Sequence, residues 1–257
     1  MVGATTLVVN AANRKPTLDN TKDYIIQIPD VVTWKDGIDL NGGRNIVIIG
    51  AEFNFAQNYA TDDGGSVTDE GQTNRGLYIH GGTSARVVHL EGLLFAGTNL
   101  YECMNVNSSN TVVQVQNTRC DHLKSHLPTG KAPPHHGGDF LQVFTSPVTG
   151  CVSRFDRITV YTDYQCYLDQ GTNSNIDIRN SNVTALTSGG ALLIGQYGTY
   201  GTRQRACTNA YFDVGPRSWT SVIESPWNTL PGVIQGSHAD FVPVGVAGRN
   251  YTSPGYV

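Results

Sequence analysis

The sequence predicts an all-β chain wound as a parallel solenoid of about seven to eight coils, followed by a non-repetitive C-terminal cap or tail. Three observations carry this expectation. Short alternating apolar runs recur in sets of three along most of the chain. Glycine, asparagine and threonine are abundant, at 29, 20 and 26 of 257 residues, while charged residues make up 15%, against about 25% in an ordinary soluble domain. No long segment keeps the 3.6-residue apolar period of an amphipathic helix. Self-similarity near ~25 residues, built from β-branched runs and turn residues, marks a solenoid whose units bury their apolar faces by stacking on one another.

The elements follow in order. A strand is expected at YIIQI, from Tyr24. The first run of each unit then reads GIDLN from Gly37, GLYIH from Gly76, CMNVN from Cys103, FLQVF from Phe140, CYLD from Cys166 and LLIG from Leu192. Anchors at Ile38, Leu77, Met104, Leu141, Cys166 and Leu192 are 39, 27, 37, 25 and 26 residues apart. The second run reads NIVIIG from Asn45, ARVVHLEG from Ala85, TVVQVQN from Thr111, CVSRF from Cys151, NIDIRN from Asn175 and CTNAY from Cys207. A third apolar position closes each unit at Phe53, Phe95, Cys120, Val160, Val183 and Val214. A leucine-rich repeat shares the period but not the L-x-x-L-x-L pattern. Residues 1–218 are therefore expected to form the repeat, with a last turn around Trp219–Ile223. The segment 219–257, rich in Pro, Gly and aromatic residues, is expected to cap the open end or dock on a neighbour.

Two intervals exceed the basal spacing, Asn54–Arg75 and Asp121–Asp139. Both leave the same corner, two coils apart, so their roots are expected about 10 Å from each other. The first carries Asp62 and Asp63, the second His135 and His136. Carboxylates and imidazoles of this kind are candidate ligands for a loop-bound divalent cation. No established ligand frame is present, and a solvated pair of polar loops with no cofactor is the plainer expectation.

Between the inward anchors of the first run, Asp39, Tyr78, Asn105, Gln142 and Tyr167 are expected to face outward as one polar and aromatic strip. Such a strip suits a sugar, with rings stacking on pyranose faces and amides taking hydroxyls, and it suits a protein interface equally. Glycoside cleavage would need two carboxyls ~5–9.5 Å apart. The candidate pairs are Asp139 with Asp169 and Asp39 with Asp63. Arg157 and Arg179 are read as exposed strand residues in a cross-strand polar ladder.

Composition excludes other classes. Seventeen Lys and Arg against 21 Asp and Glu give a formal charge of −4, with no basic excess for nucleic acid. No apolar run approaches the ~20 residues of a membrane span. The N-terminus shows no secretory pattern. The five cysteines match no zinc spacing and are expected to be buried thiols.

The stretches KDYIIQIPD and GIDLNGGRNIVIIGAEF resemble the first coils of pectate-lyase-like right-handed β-helices. Together with HHGGDFLQVF and the ending ADFVPVGVAGRNYTSPGYV, the chain from Lys22 to Val257 resembles minor tail proteins of actinobacteriophages. That resemblance implies a right-handed parallel β-helix in a virion tail, made in the host cytoplasm. It also implies assembly with other phage tail proteins, plausibly as a homotrimer, and contact with a host cell-wall glycan. The alternative is a tailspike-type polysaccharide-degrading enzyme, a glycoside hydrolase or lyase. The acid, base and calcium motifs of polygalacturonases and pectate lyases are absent, so their activity does not carry over.

Overall fold

The computed structural model describes residues 2–34, 37–55, 75–82, 85–97, 100, 102–123, 139–143, 150–162, 166–169, 175–185, 194–196, 205–213 and 233–236. Among them there is no helix; sixteen strands form two sheets in which every paired strand is parallel. One sheet, here sheet A, contains β1 (Thr5–Val8), β3 (Tyr24–Gln27), β5 (Ile46–Asn54), β7 (Arg86–Ala96), β9 (Thr111–Leu123), β11 (Val152–Thr162), β13 (Asn175–Ala185), β15 (Arg205–Asp213) and β16 (Val233–Gly236). Sheet B contains β2 (Thr17–Leu18), β4 (Ile38–Gly42), β6 (Arg75–His80), β8 (Glu102–Asn107), β10 (Asp139–Val143), β12 (Tyr167–Asp169) and β14 (Ile194–Gln196). From β1 to β15 the chain alternates between the sheets, and within each sheet strands lie side by side in chain order.

Lateral register converts the repeats into columns, with one shift, between Val160 and Thr162 where β11 meets β9. In sheet B, Ile38, Leu77, Met104, Leu141, Tyr167 and Ile194 are lateral partners. In sheet A, Ile48, Leu90, Val115, Phe155 and Ile178 form another column. The described side chains of both columns are buried in the core between the sheets. Aromatic rings link the coils within it: Phe53 stacks on Phe95 at 4.7 Å, and Phe95–Phe140, Phe140–Phe155 and Phe155–Tyr167 follow at 6.3, 5.9 and 5.8 Å between centroids.

The long strands of sheet A bend at a fixed point. Gly50, Gly92, Asn117, Arg157 and Asn180 occupy equivalent register positions and have φ of 67°, 65°, 47°, 54° and 46°. This is the left-handed region, which Gly and Asn reach at least cost. The bend lengthens the inward spacing from two residues to three, as in Ile48 to Ala51, Leu90 to Leu93 and Phe155 to Ile158, all buried. The third apolar position of each unit therefore lies beyond a corner rather than on the same straight strand.

Three of the expected positions move. Tyr167 and Ile194, not Cys166 and Leu192, pair with the Leu141 column, and Phe212, not Val214, pairs with Val183. Within the expected 1–218 repeat, β1 and β2 precede Tyr24 and carry little apolar alternation, so the sequence marks no run there. Within 219–257, β16 adds a parallel strand to sheet A beside β15. The turn expected at 219–223 and the rest of that segment lie outside the described residues. Cys103, Cys120, Cys151 and Cys166 are buried free thiols. Burial raises the Cys103 and Cys166 thiols well above the ordinary range.

Candidate functional site

The outer face of sheet B holds most of the strip expected from sequence. Asp39, Tyr78, Asn105 and Gln142 are successive lateral partners, and the next position is Leu168. Tyr167 departs from the expectation. It belongs to the inward column and is 1% exposed, against Phe155 in the core. A one-residue slip of the anchor turns every side chain of a strand to the other face, and the anchor at Cys166 was one residue early.

The strip is closely knit. Asn105 Nδ2 donates to Gln142 Oε1, and the two residues are only 1% and 9% exposed. The Tyr78 ring stacks on His80 at 4.5 Å, lies 5.0 Å from the Arg75 guanidinium carbon, and its hydroxyl accepts from Asn107 Nδ2 at 3.2 Å. His80 Nε2 and Asp39 Oδ1 are 2.5 Å apart. The Asn105–Gln142 pair is covered by the protein, and Asn105 Oδ1 is buried without a hydrogen-bond partner among the described residues.

Beside the strip lies a row of charges at the strand starts, in which Glu102 is the lateral partner of both Arg75 and Asp139. Arg75 Nε hydrogen-bonds Glu102 Oε2, and all three side chains are buried. Burial, and then the neighbouring Glu102 charge, hold the Asp139 carboxyl well above the usual carboxylate range, only partly opposed by Arg75. Asp139 is 3% exposed and its Oδ1 has no hydrogen-bond partner. The carboxyl is thus enclosed by the protein rather than open at the surface.

Of the candidate carboxylate pairs, only Asp139 with Asp169 has a described backbone for both members. Asp169 pairs with Val143, four residues along the register from Asp139. The two α-carbons are thus about 13 Å apart along the strand direction alone, and the Asp169 side chain lies outside the described residues. Asp62, Asp63, His135 and His136 lie outside the described residues, which leaves the Asp39–Asp63 pair and the loop cation without a described geometry. Among the described residues no group of three or more His, Cys, Asp or Glu side chains is placed to hold a metal ion.

Sheet A carries a second polar face, and this one is open. A groove of about 500 Å³ runs over its outer surface, lined by His89, Gln114, Arg154, Asp156, Asp177 and Arg179 together with Gln116 and Asn180. Two register rows build it. His89, Gln114, Arg154 and Asp177 form one, and Glu91, Gln116, Asp156 and Arg179 the other. The rows cross four strands, about 14 Å at the spacing of hydrogen-bonded strands. One rim is the bend at Asn117, Arg157 and Asn180.

Most of the lining is internally paired. His89 contacts Gln114 Oε1 at 3.1 Å and Glu91 Oε2 at 3.2 Å. Arg179 holds Asp177 at 2.6 Å, and that hydrogen bond raises its already high pKa. Arg157 reaches Asp156 at 3.1 Å and donates through Nε to Asn117 Oδ1 at 2.8 Å, and Asn180 Nδ2 donates to Asp156 Oδ1 at 2.9 Å. Arg157 and Arg179 thus stand in a polar ladder. Arg154 is exposed and has no hydrogen-bond or ion-pair partner among the described residues. The groove was not singled out from sequence, although its signal is present: VQVQN, RFDR and NIDIRN place a polar residue at every second position.

The chain matches no family model, no curated protein and no solved structure. The likeness to tail proteins therefore rests on the residues quoted for it.

Proposed function

We propose that the chain is a right-handed parallel β-helix that serves as a structural component of a phage tail, a minor tail protein or tail-tip spike, and binds a glycan of the host surface. The helix reading is supported by the alternation of the chain between two all-parallel sheets, by lateral register and by the recurring corner in sheet A. The virion setting, the homotrimer and the neighbouring tail proteins follow from the sequence resemblance.

The observation that carries the binding reading is the open groove on sheet A. Extended saccharides offer hydroxyls at regular intervals, and a row of amides, carboxylates and guanidinium groups at strand spacing can meet them repeatedly. The binding surface is accordingly placed on the groove rather than on the covered strip of Asn105 and Gln142. Binding without cleavage fits best, because the acid with the perturbed carboxyl, Asp139, is buried away from it.

The test is adsorption of the purified protein to host cell-wall polysaccharide, wild type against Gln114→Ala with Gln116→Ala. The pair is expected to weaken binding at least tenfold while the Tm changes by only a few degrees. Unchanged adsorption would overturn the groove as the binding surface. Release of new reducing ends or unsaturated uronates by the wild type would instead establish the degrading enzyme.

A further inference from the structure

Deepening the glycan reading of the sheet A groove, on which it rests, we propose that the ligand is an anionic saccharide whose acid group is read by Arg154. Each charge along the groove can be followed to a partner. Asp177 is held by Arg179, Asp156 by Arg157 and Asn180, and Glu91 by His89 and Asn117. What remains is one guanidinium. Arg154 stands between Gln114 and Asp177 in its row, exposed and without a partner among the described residues.

That position is unusual within the face. Asp177 is the direct lateral partner of Arg154, yet Asp177 is engaged by Arg179, two residues further along its own strand. Asp156, two residues along the same strand from Arg154, is occupied likewise, since it is bonded to Asn180 and Arg157. Both nearby carboxylates are thus committed to the far rim, and the Arg154 fork is left directed to the groove. A guanidinium binds planar or tetrahedral oxyanions through two parallel N–H bonds, so it selects a carboxylate or a phosphate over a hydroxyl. Next to it Gln116 has no side-chain partner among the described residues, and Gln114 has an amide nitrogen beyond its contact with His89. One acid group flanked by hydroxyls is the ligand pattern this arrangement takes: a uronate-type sugar or a phosphate-bridged polyol.

Titration calorimetry at low salt, with three probes of matched length, tests the proposal. They are a glucuronate-containing oligosaccharide, a glycerol-phosphate oligomer and a neutral oligosaccharide. The expected result is that at least one acidic probe binds ten to a hundred times more tightly than the neutral one, the scale of one charge-assisted bond. Its advantage is expected to shrink in 0.5 M salt and to be lost in Arg154→Gln, while Arg154→Lys keeps part of it. The acidic probe that binds identifies carboxylate or phosphate as the natural group. If the neutral probe binds as well as both acids and Arg154→Gln changes nothing, the acid preference is overturned while the groove stands, provided Gln116→Ala weakens binding. If no probe binds, or Gln116→Ala also leaves binding unchanged, the proposal and the groove reading fail together.

Discussion

Arg157 is the misfit of the corner column, and replacing it should stabilise the protein. Its equivalents are Gly50, Gly92, Asn117 and Asn180, while Arg157 holds φ at 54° with a long side chain. An L-residue in that region loses about 1–2 kcal/mol, a cost that Asn largely avoids through local hydrogen bonding. Against this, Arg157 makes an ion pair with Asp156 between half-exposed side chains and a bond to Asn117, together worth ~1 kcal/mol or less. The column shows what an Asn would do instead. Asn117 Nδ2 donates to Glu91, and Asn180 Nδ2 donates to Asp156, each acceptor being the residue before the corner one coil earlier. An Asn at 157 would meet Gln116 in the same way. Arg157→Asn is therefore expected to gain about 0.5–1 kcal/mol. Asn117→Val, which puts a β-branched residue at φ 47° and removes both of its side-chain bonds, is expected to lose about 2–3 kcal/mol. Urea unfolding reads both as shifts in midpoint at constant slope. A loss of 1 kcal/mol or more in Arg157→Asn, or an unchanged midpoint in Asn117→Val, would refute the claim that backbone conformation rules this column.

Other outcomes follow from the core and the buried charges. Phe95, fully buried between Phe53 and Phe140, should cost about 3–5 kcal/mol on truncation to Ala in the same urea assay. A Cβ at Gly76 would meet Phe95 Cε1 and the Cys103 carbonyl oxygen, each at 2.6 Å, so Gly76→Ala should lower the Tm by several degrees, and pairing it with Phe95→Leu should restore part of the loss. Arg86 donates to the Gly42, Gly43 and His80 carbonyls, and burial brings its pKa down to about 10. Arg86→Met should cost about 2–4 kcal/mol by leaving those carbonyls unpaired. Asp139 titrates with the opposite sign to an ordinary paired carboxylate. Its folded pKa is raised, so its stabilising effect is full below the unfolded value near 4 and declines as pH rises toward the folded pKa, by about 1.4 kcal/mol per pH unit. Asp139→Asn, neutral in both states, should remove that slope and equal or exceed wild type at pH 7, as urea midpoints from pH 4 to 8 would show.

The fold was legible where side chains alternate against a core. Ile38, Leu77, Met104 and Leu141 announce a column because each begins a buried pair with a residue two positions on, and the register reproduces their order. Legibility failed where that contrast fades. Cys166 and Tyr167 are both buried, so hydrophobicity could not say which was the anchor, and Tyr167 was assigned to the wrong face. In Thr5–Val8 the alternation is mostly exposed and gave no signal. The corner could have been read from the three-residue spacing at Gly50, Gly92 and Asn117, where an extra Gly or Asn interrupts the period of two. Arg157 obscured it, because nothing in its chemistry advertises a left-handed backbone.

The candidate site was harder for a related reason. Asn105 and Gln142 on sheet B and Gln114 and Arg154 on sheet A are the same sequence signal, a polar residue between two inward apolar ones. They differ in burial: Asn105 and Gln142 are covered and bonded to each other, while Arg154 stands exposed and without a partner among the described residues. A period-two pattern specifies which way a side chain points and carries no information about what lies above it. In a stacked parallel fold each coil therefore offers more than one outward polar row, and chemistry alone cannot rank them. The rank comes from exposure. A row covered by the protein is closed to a ligand, whereas an exposed row with a guanidinium and an amide unmatched among the described residues has binding capacity to spare. By that criterion the binding face proposed here is the one on sheet A, with Arg154 and Gln116 at its centre.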